Sequence, residues 1–140
     1  MNPGAIVLVA AASVLFGLLY QCALGTVLAA GVIGGLGWMV ALLLGNLPHG
    51  AVLSDLAGAL VVGGLAEIVA VVRKEPVSLL VVPAIIPFVP GFLAYQSMLA
   101  FIHGHFVTGL ERGMGAAIVA GALAVGLALA TAVVRPLLHR

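Results

Sequence analysis

The chain has 140 residues, 64% of them hydrophobic and 6% charged, with a formal net charge of +1 and a mean hydropathy of +1.37. A water-soluble domain carries roughly a quarter charged residues, so this composition excludes a soluble globular fold and places most of the surface in lipid. The five basic residues are scattered and form no patch for nucleic acid, and the single cysteine, Cys22, excludes an internal disulfide and reads as a small buried hydrophobe.

A spanning helix needs about 20 apolar residues, so the length allows at most about five or six crossings. One transmembrane domain, residues 1–140, is expected, with no appended soluble domain. Residues 4–22 form a first uncharged run ending in Tyr20 and Gln21. Met1-Asn2-Pro3 lacks the basic start of a signal peptide, so this run reads as a retained helix. Residues 26–45 form a second run, closed by a turn at Asn46 to Gly50. Residues 51–72 form a third, opening at the helix-start pair Ser54-Asp55 and closing at Arg73-Lys74-Glu75-Pro76. The stretch 77–103 is too long and too rich in proline for one straight helix, and 113–134 makes a fifth run before Arg135-Pro136. The expected fold class is an all-α integral membrane protein, a bundle of about five transmembrane helices with one proline-broken helix over 77–103. Only Cys22 to Gly25 separates the first two runs, which leaves a four-span reading open.

Five spans put Arg73, Lys74, Arg135 and Arg140 on one side and Arg112 on the other. Positive residues favour the cytoplasm, so the expected topology has the N-terminus outside and the C-terminus inside a cell inner membrane. Small residues recur at helical spacing: Gly31 with Gly35, Ala59 with Gly63, and in the last run Gly113, Ala117 and Gly121 beside Ala122, Gly126 and Ala130. Such stripes let helix backbones approach closely where lipid offers no hydrophobic drive for association.

Residues 76–99 carry the most information. Pro83, Pro87 and Pro90 each lack an N–H, which deprives the carbonyls of Leu79, Pro83 and Ile86 of helical partners, and each pushes its predecessor, Val82, Ile86 or Val89, toward extended backbone. Regular helix should therefore fail at about Ile86 to Gly91, roughly 18–25 Å from the charged Arg73-Lys74 edge. Non-helical backbone at that depth is tolerated only against protein or a water-filled cavity. A half-helix starting near Gly91 would turn the N–H groups of Gly91, Phe92 and Leu93 toward an anionic group such as a carboxylate, with Tyr95 one turn on and Gln96 and Ser97 nearby. The competing reading is a simple proline kink.

The run Pro87-Phe88-Val89-Pro90-Gly91-Phe92-Leu93-Ala94-Tyr95, preceded by Pro83, resembles the P-x-x-P-G-x-x-x-Y signature of the threonine/serine exporter family. More narrowly, the chain is similar to the small subunit matching that family's C-terminal membrane half in split transporters. The break makes Pro87, Pro90, Gly91, Tyr95, Gln96 and Ser97 the expected substrate site, and the resemblance implies export of small amino acids or small dicarboxylates. It also implies a second membrane subunit supplying the N-terminal half; no cofactor is expected.

Among the ionisable residues, Asp55 and Glu67 lie about 18 Å apart on one helix and cannot form an acid/base pair. Asp55 reads as a helix-start charge near the outer interface. Glu67 either snorkels or pairs with Arg73, or couples protons to transport. His103 and His105 lack a third ligand for a metal, and Trp38 falls mid-span as a packing residue. An exporter subunit is the favoured function, with a membrane scaffold as the alternative. A membrane enzyme ranks last, because no cluster of catalytic polar residues shares one depth.

Overall fold

Proline, glycine and short polar pairs punctuate an otherwise helix-forming chain, and the computed structural model, which describes residues 3–45 and 50–138, divides close to those marks. α1 spans Pro3–Leu19, α2 Leu24–Gly45, α3 Gly50–Arg73, α4 Ser78–Ile85, α5 Gly91–Ile102 and α6 Phe106–Leu138, with a single 3-10 turn at Ile86–Phe88 joining α4 to α5. The expected turn at Asn46 to His49 lies outside the described residues, as do Met1, Asn2, His139 and Arg140. No strand occurs among the described residues, so the all-α class holds. Three helices, α2, α3 and α6, are long and apolar enough to cross a membrane, the bent α4–α5 pair makes a fourth candidate, and α1 is apolar but shorter.

Several element boundaries differ from the sequence expectation: α1 stops at Leu19, short of 22, α6 runs on through Pro136 to Leu138, beyond 134, and two helix starts move. α3 begins at Gly50, so Ser54 and Asp55 sit in its second turn instead of at its start. The preceding Ala51, Val52 and Leu53 carry no break, and helix extends through them. α6 begins at Phe106, seven residues before the expected 113, and runs for 33 residues. Glu111 and Arg112 end the apolar stretch, but Glu and Arg are good helix formers, so the helix continues past the hydrophobic boundary. At 1.5 Å per residue α6 is about 50 Å long, well beyond the ~30 Å of hydrocarbon.

Three helix ends share one device. After α1, the amides of Gln21 and Cys22 bond the carbonyls of Leu18 and Gly17; after α3, those of Lys74 and Glu75 bond Val71 and Ala70; after α5, those of Gly104 and His105 bond Phe101 and Ala100. Each is a Schellman motif, with the residue after the cap left-handed: Gln21 at φ 56°, Lys74 at φ 55° and Gly104 at φ 78°. The first motif separates α1 from α2 by a tight turn.

Small residues then fix how the helices pack. A Cβ at Gly31 would meet Val14 at 2.5 Å, and one at Gly35 would meet Ala10 at 3.3 Å, so the Gly31/Gly35 stripe seats α1 antiparallel on α2. Gly37 abuts Val62 and the Gly58 carbonyl, which holds α2 antiparallel to α3. Ala59 and Gly63 of α3 meet Gly126 and Ala130 of α6, with Gly126 only 2.5 Å from the Leu56 carbonyl as a Cβ would measure it. This pairing keeps its register in the same chain direction, so α3 and α6 run parallel. The stripe Ala122, Gly126, Ala130 is buried, whereas Ala117 and Gly121 of the neighbouring stripe are exposed. α1, α3 and α6 thus share one direction, and the described chain starts at one end of the bundle and finishes at the other.

Candidate functional site

The α4–α5 break lies where the three prolines place it, but they do not act alike. Pro83 stays inside α4, and Val82 stays helical with it. Pro87 occupies the first turn of the 3-10 segment, where a missing N–H costs nothing, and Ile86 keeps right-handed helical angles (φ −51°, ψ −43°). Only Val89 turns extended (φ −61°, ψ 130°), and Pro90 follows at φ −75°, ψ 49°. The expected extension at Val82 and Ile86 is therefore corrected: one proline, Pro90, redirects its predecessor, and the helix axes bend by 49°.

Backbone accounting narrows the expected cluster of amides. Val89 N–H donates to the Ile86 carbonyl at 3.1 Å, Gly91 N–H to the Val89 carbonyl at 2.7 Å, and Ala94 N–H to Pro90 at 3.1 Å. The Gly91 amide is therefore engaged, and Phe92 and Leu93 supply the amides that α5 leaves without an intrahelical partner.

Phe88, 5% exposed, anchors the break. Its ring lies edge-on to Trp38 at 5.3 Å, and a Cβ at Gly58 or Gly37 would come within 2.8 or 3.2 Å of it. Two glycines on facing helices thus clear the space for one aromatic ring. The Trp38 Nε1 atom is buried without a hydrogen-bond partner. Gly58 is about fifteen residues along α3 from Arg73, so the break sits about 22 Å from the charged end of the bundle, within the expected range.

The expected site residues divide into three environments. Gly91 and Tyr95 share one outward face: nothing lies within 4 Å of a Cβ at Gly91, and Phe92 and Tyr95 are 71% and 55% exposed. Gln96 turns toward α6 and lines a groove of about 410 Å³ with His103, His105, Thr108 and Arg112. Ser97 is buried in the α5–α6 contact and donates its hydroxyl to the Gly109 carbonyl at 2.6 Å. Pro87 and Pro90 shape the turn between these faces.

Glu67 is 6% exposed and lines a separate cavity of about 310 Å³ with Glu75 and Arg135. The expected partner, Arg73, lies elsewhere, with its guanidinium packed over Gly25 of α2. Glu75 is held by Thr26, whose hydroxyl donates to Oε2 at 2.7 Å. Sequence reasoning missed Arg135 as a neighbour of Glu67, because their shared depth depends on the parallel α3–α6 register, and missed Glu75, which the turn at Lys74 sets at the end of α3. A further cavity of about 260 Å³ joins Trp38 with Ser54 and Asp55, so Asp55 lines a pocket between α2 and α3 instead of capping a helix.

A family model described as threonine/serine exporter, ThrE, matches residues 5–133, nearly the whole chain. The chain belongs to this exporter family. Comparison with curated protein sequences and with solved structures gave no match. The match covers all six helices of the exporter, the break included, and accounts for its apolar surface: the protein is a multi-pass, lipid-embedded transporter of the threonine/serine exporter type.

Proposed function

We propose that this chain is one membrane subunit of a secondary exporter for threonine and serine or for small dicarboxylates, and that a partner chain supplies the other half. The helix break carries this reading. It interrupts the helix at membrane depth beside Gly91, and the amides of Phe92 and Leu93 with the Tyr95 hydroxyl form a donor set suited to a carboxylate. The face bearing Gly91 and Tyr95 opens outward from the bundle, so a site there needs a second wall, and a partner subunit would provide it. Gln96 borders the same half-helix, while Ser97 holds α5 against α6. Pro90, by holding Val89 extended, keeps the break open, and Pro87 starts the 3-10 turn that leads into it.

Topology follows in the same reading. The parallel α3–α6 pair requires one crossing between them, and the α4–α5 pair supplies it, which makes five spans with α1 as the shortest. Loop charges then put the C-terminus in the cytoplasm of the inner membrane. Glu67, a carboxylate nearly buried at membrane depth, takes the proton-coupling role.

Reconstitution tests the assignment. Vesicles holding this chain alone should release no more threonine, serine or succinate than empty liposomes, and vesicles holding both chains should release one of them. Robust efflux from the single chain would instead favour a homo-oligomer, and no efflux with both chains would favour the scaffold alternative.

A further inference from the structure

The connected ends of α5 and α6 enclose the groove lined by Gln96, Leu99, His103, His105, Thr108 and Arg112, which the helix break does not use. We propose that this groove is a binding site for an anionic group, a carboxylate or a phosphate.

Charge is the first argument. Among the described residues lining the groove none is acidic, and the fixed charge is the Arg112 guanidinium. Gln96 and Thr108 add an amide and a hydroxyl donor. The helix ends add to this field. α6 starts at Phe106, and its first bond runs from Gly109 N–H to the His105 carbonyl, so the amides of Phe106, Val107 and Thr108 have no intrahelical partner at the positive end of a long helix. The opposing negative end of α5 is largely neutralised: the carbonyls of Leu99, Ala100 and Phe101 accept from His103, His105 and Gly104.

Tautomer geometry is the second argument. His103 Nδ1 lies 2.8 Å from the Leu99 carbonyl, which can only accept, so Nδ1 carries the hydrogen. Nε2, an acceptor in this tautomer, is the ring atom left for a hydrogen-bearing group of the ligand.

Rigidity and depth complete the case. The Ser97–Gly109 hydrogen bond and the Phe101 ring over Gly109 lock the two walls, so the groove is preformed. Gly126 is level with Ala59; from that level Arg112 lies about 21 Å toward the α5–α6 turn, whereas α3 starts after only about 13 Å. The groove therefore overhangs the end of the α2–α3 pair, where a charged ligand reaches it without entering hydrocarbon. A free small carboxylate and a lipid headgroup phosphate share the required chemistry.

The test measures binding to the full chain in nanodiscs, which needs no efflux and so stands or falls apart from the exporter reading. In phosphatidylcholine discs, radiolabelled succinate and inorganic phosphate are titrated; in discs containing phosphatidylglycerol, retained anionic lipid is counted by native mass spectrometry. At least one probe should bind saturably, weakened about tenfold or more by Arg112→Gln, since a lost hydrogen bond to a charged group has that effect. Arg112→Lys should recover part of the binding, and Lys74→Gln, a charge removed at the opposite end, should change nothing. A response to succinate or phosphate identifies a soluble ligand, and a response confined to phosphatidylglycerol identifies a headgroup. Where Arg112→Gln lowers thermal stability, the double variant His103→Phe, Thr108→Val replaces it and should weaken binding similarly. Binding of no probe, or binding unchanged by these variants, overturns the proposal.

Discussion

Phe88 meets Trp38 edge-on, with ring centroids 5.3 Å apart and the planes at 72°. This contact ties the 3-10 turn at the break to α2, and the two glycines flanking the ring let it enter fully. Phe88→Ala should lower unfolding free energy by about 3–5 kcal/mol, the usual effect of deleting a buried phenyl ring. Trp38 is the chain's single tryptophan, so the same variant should shift its emission. A change in emission without loss of thermal stability would mean that the ring senses the break without supporting it.

Lys74 holds a left-handed conformation at φ 55° after α3, which costs a residue with a Cβ about 1–2 kcal/mol. Lys74→Gly should therefore raise stability by about 1 kcal/mol, read as a higher unfolding midpoint in detergent. Gly104→Ala, at φ 78°, should lower it by a similar amount.

Glycine positions on α6 should separate sharply. Gly126→Val drives a side chain into the Leu56 carbonyl and Ala59 and should part α3 from α6, leaving little folded protein. Gly121→Val enters open space and should leave the isolated chain as stable as the parent. Equal yields of both would contradict the α3–α6 packing.

Ser97→Ala removes the hydroxyl that serves the buried Gly109 carbonyl. Because the Gly109 carbonyl keeps its partner within α6, the loss should be about 0.5–1.5 kcal/mol, confined to α5 and the first turns of α6. Hydrogen exchange there should speed up while exchange in α2 and α3 stays slow.

The sequence made the break legible because the prolines remove backbone donors locally, but which one would redirect its predecessor was not legible: Val82 and Ile86 stay helical and only Val89 turns extended. Small-residue stripes were also legible, and Gly31/Gly35, Ala59/Gly63 and Ala122/Gly126/Ala130 all lie at helix contacts. What the pattern could not reveal was register between distant helices. Arg135 joins Glu67 only because α6 is displaced along α3, and Ser97 meets Gly109 only because the Gly104 turn folds α5 back on α6. The α6 start was misplaced because hydrophobicity marks the hydrocarbon boundary, whereas helix propensity sets the end of the helix.

Two substitutions at the break separate shape from chemistry in the exporter reading. Pro90→Ala restores an N–H, frees Val89 from its extended angles and should let helix propagate from Ile86 into α5, which lowers export while folding improves. Tyr95→Phe removes one hydroxyl and should raise the apparent substrate constant about ten- to a hundredfold at unchanged protein level.

The most direct measurement is the initial rate of threonine, serine or succinate efflux from vesicles holding Gly91→Leu together with the partner chain. A Cβ at Gly91 meets nothing within 4 Å in this subunit, and leucine favours helix over glycine, so the subunit should fold as the parent does, and co-purification of the partner checks assembly. If the break is the substrate site, the added bulk stands in front of the Phe92 and Leu93 amides, and efflux should fall at least tenfold. Efflux at the parent rate from a normally assembled variant would contradict the account and place the substrate path elsewhere.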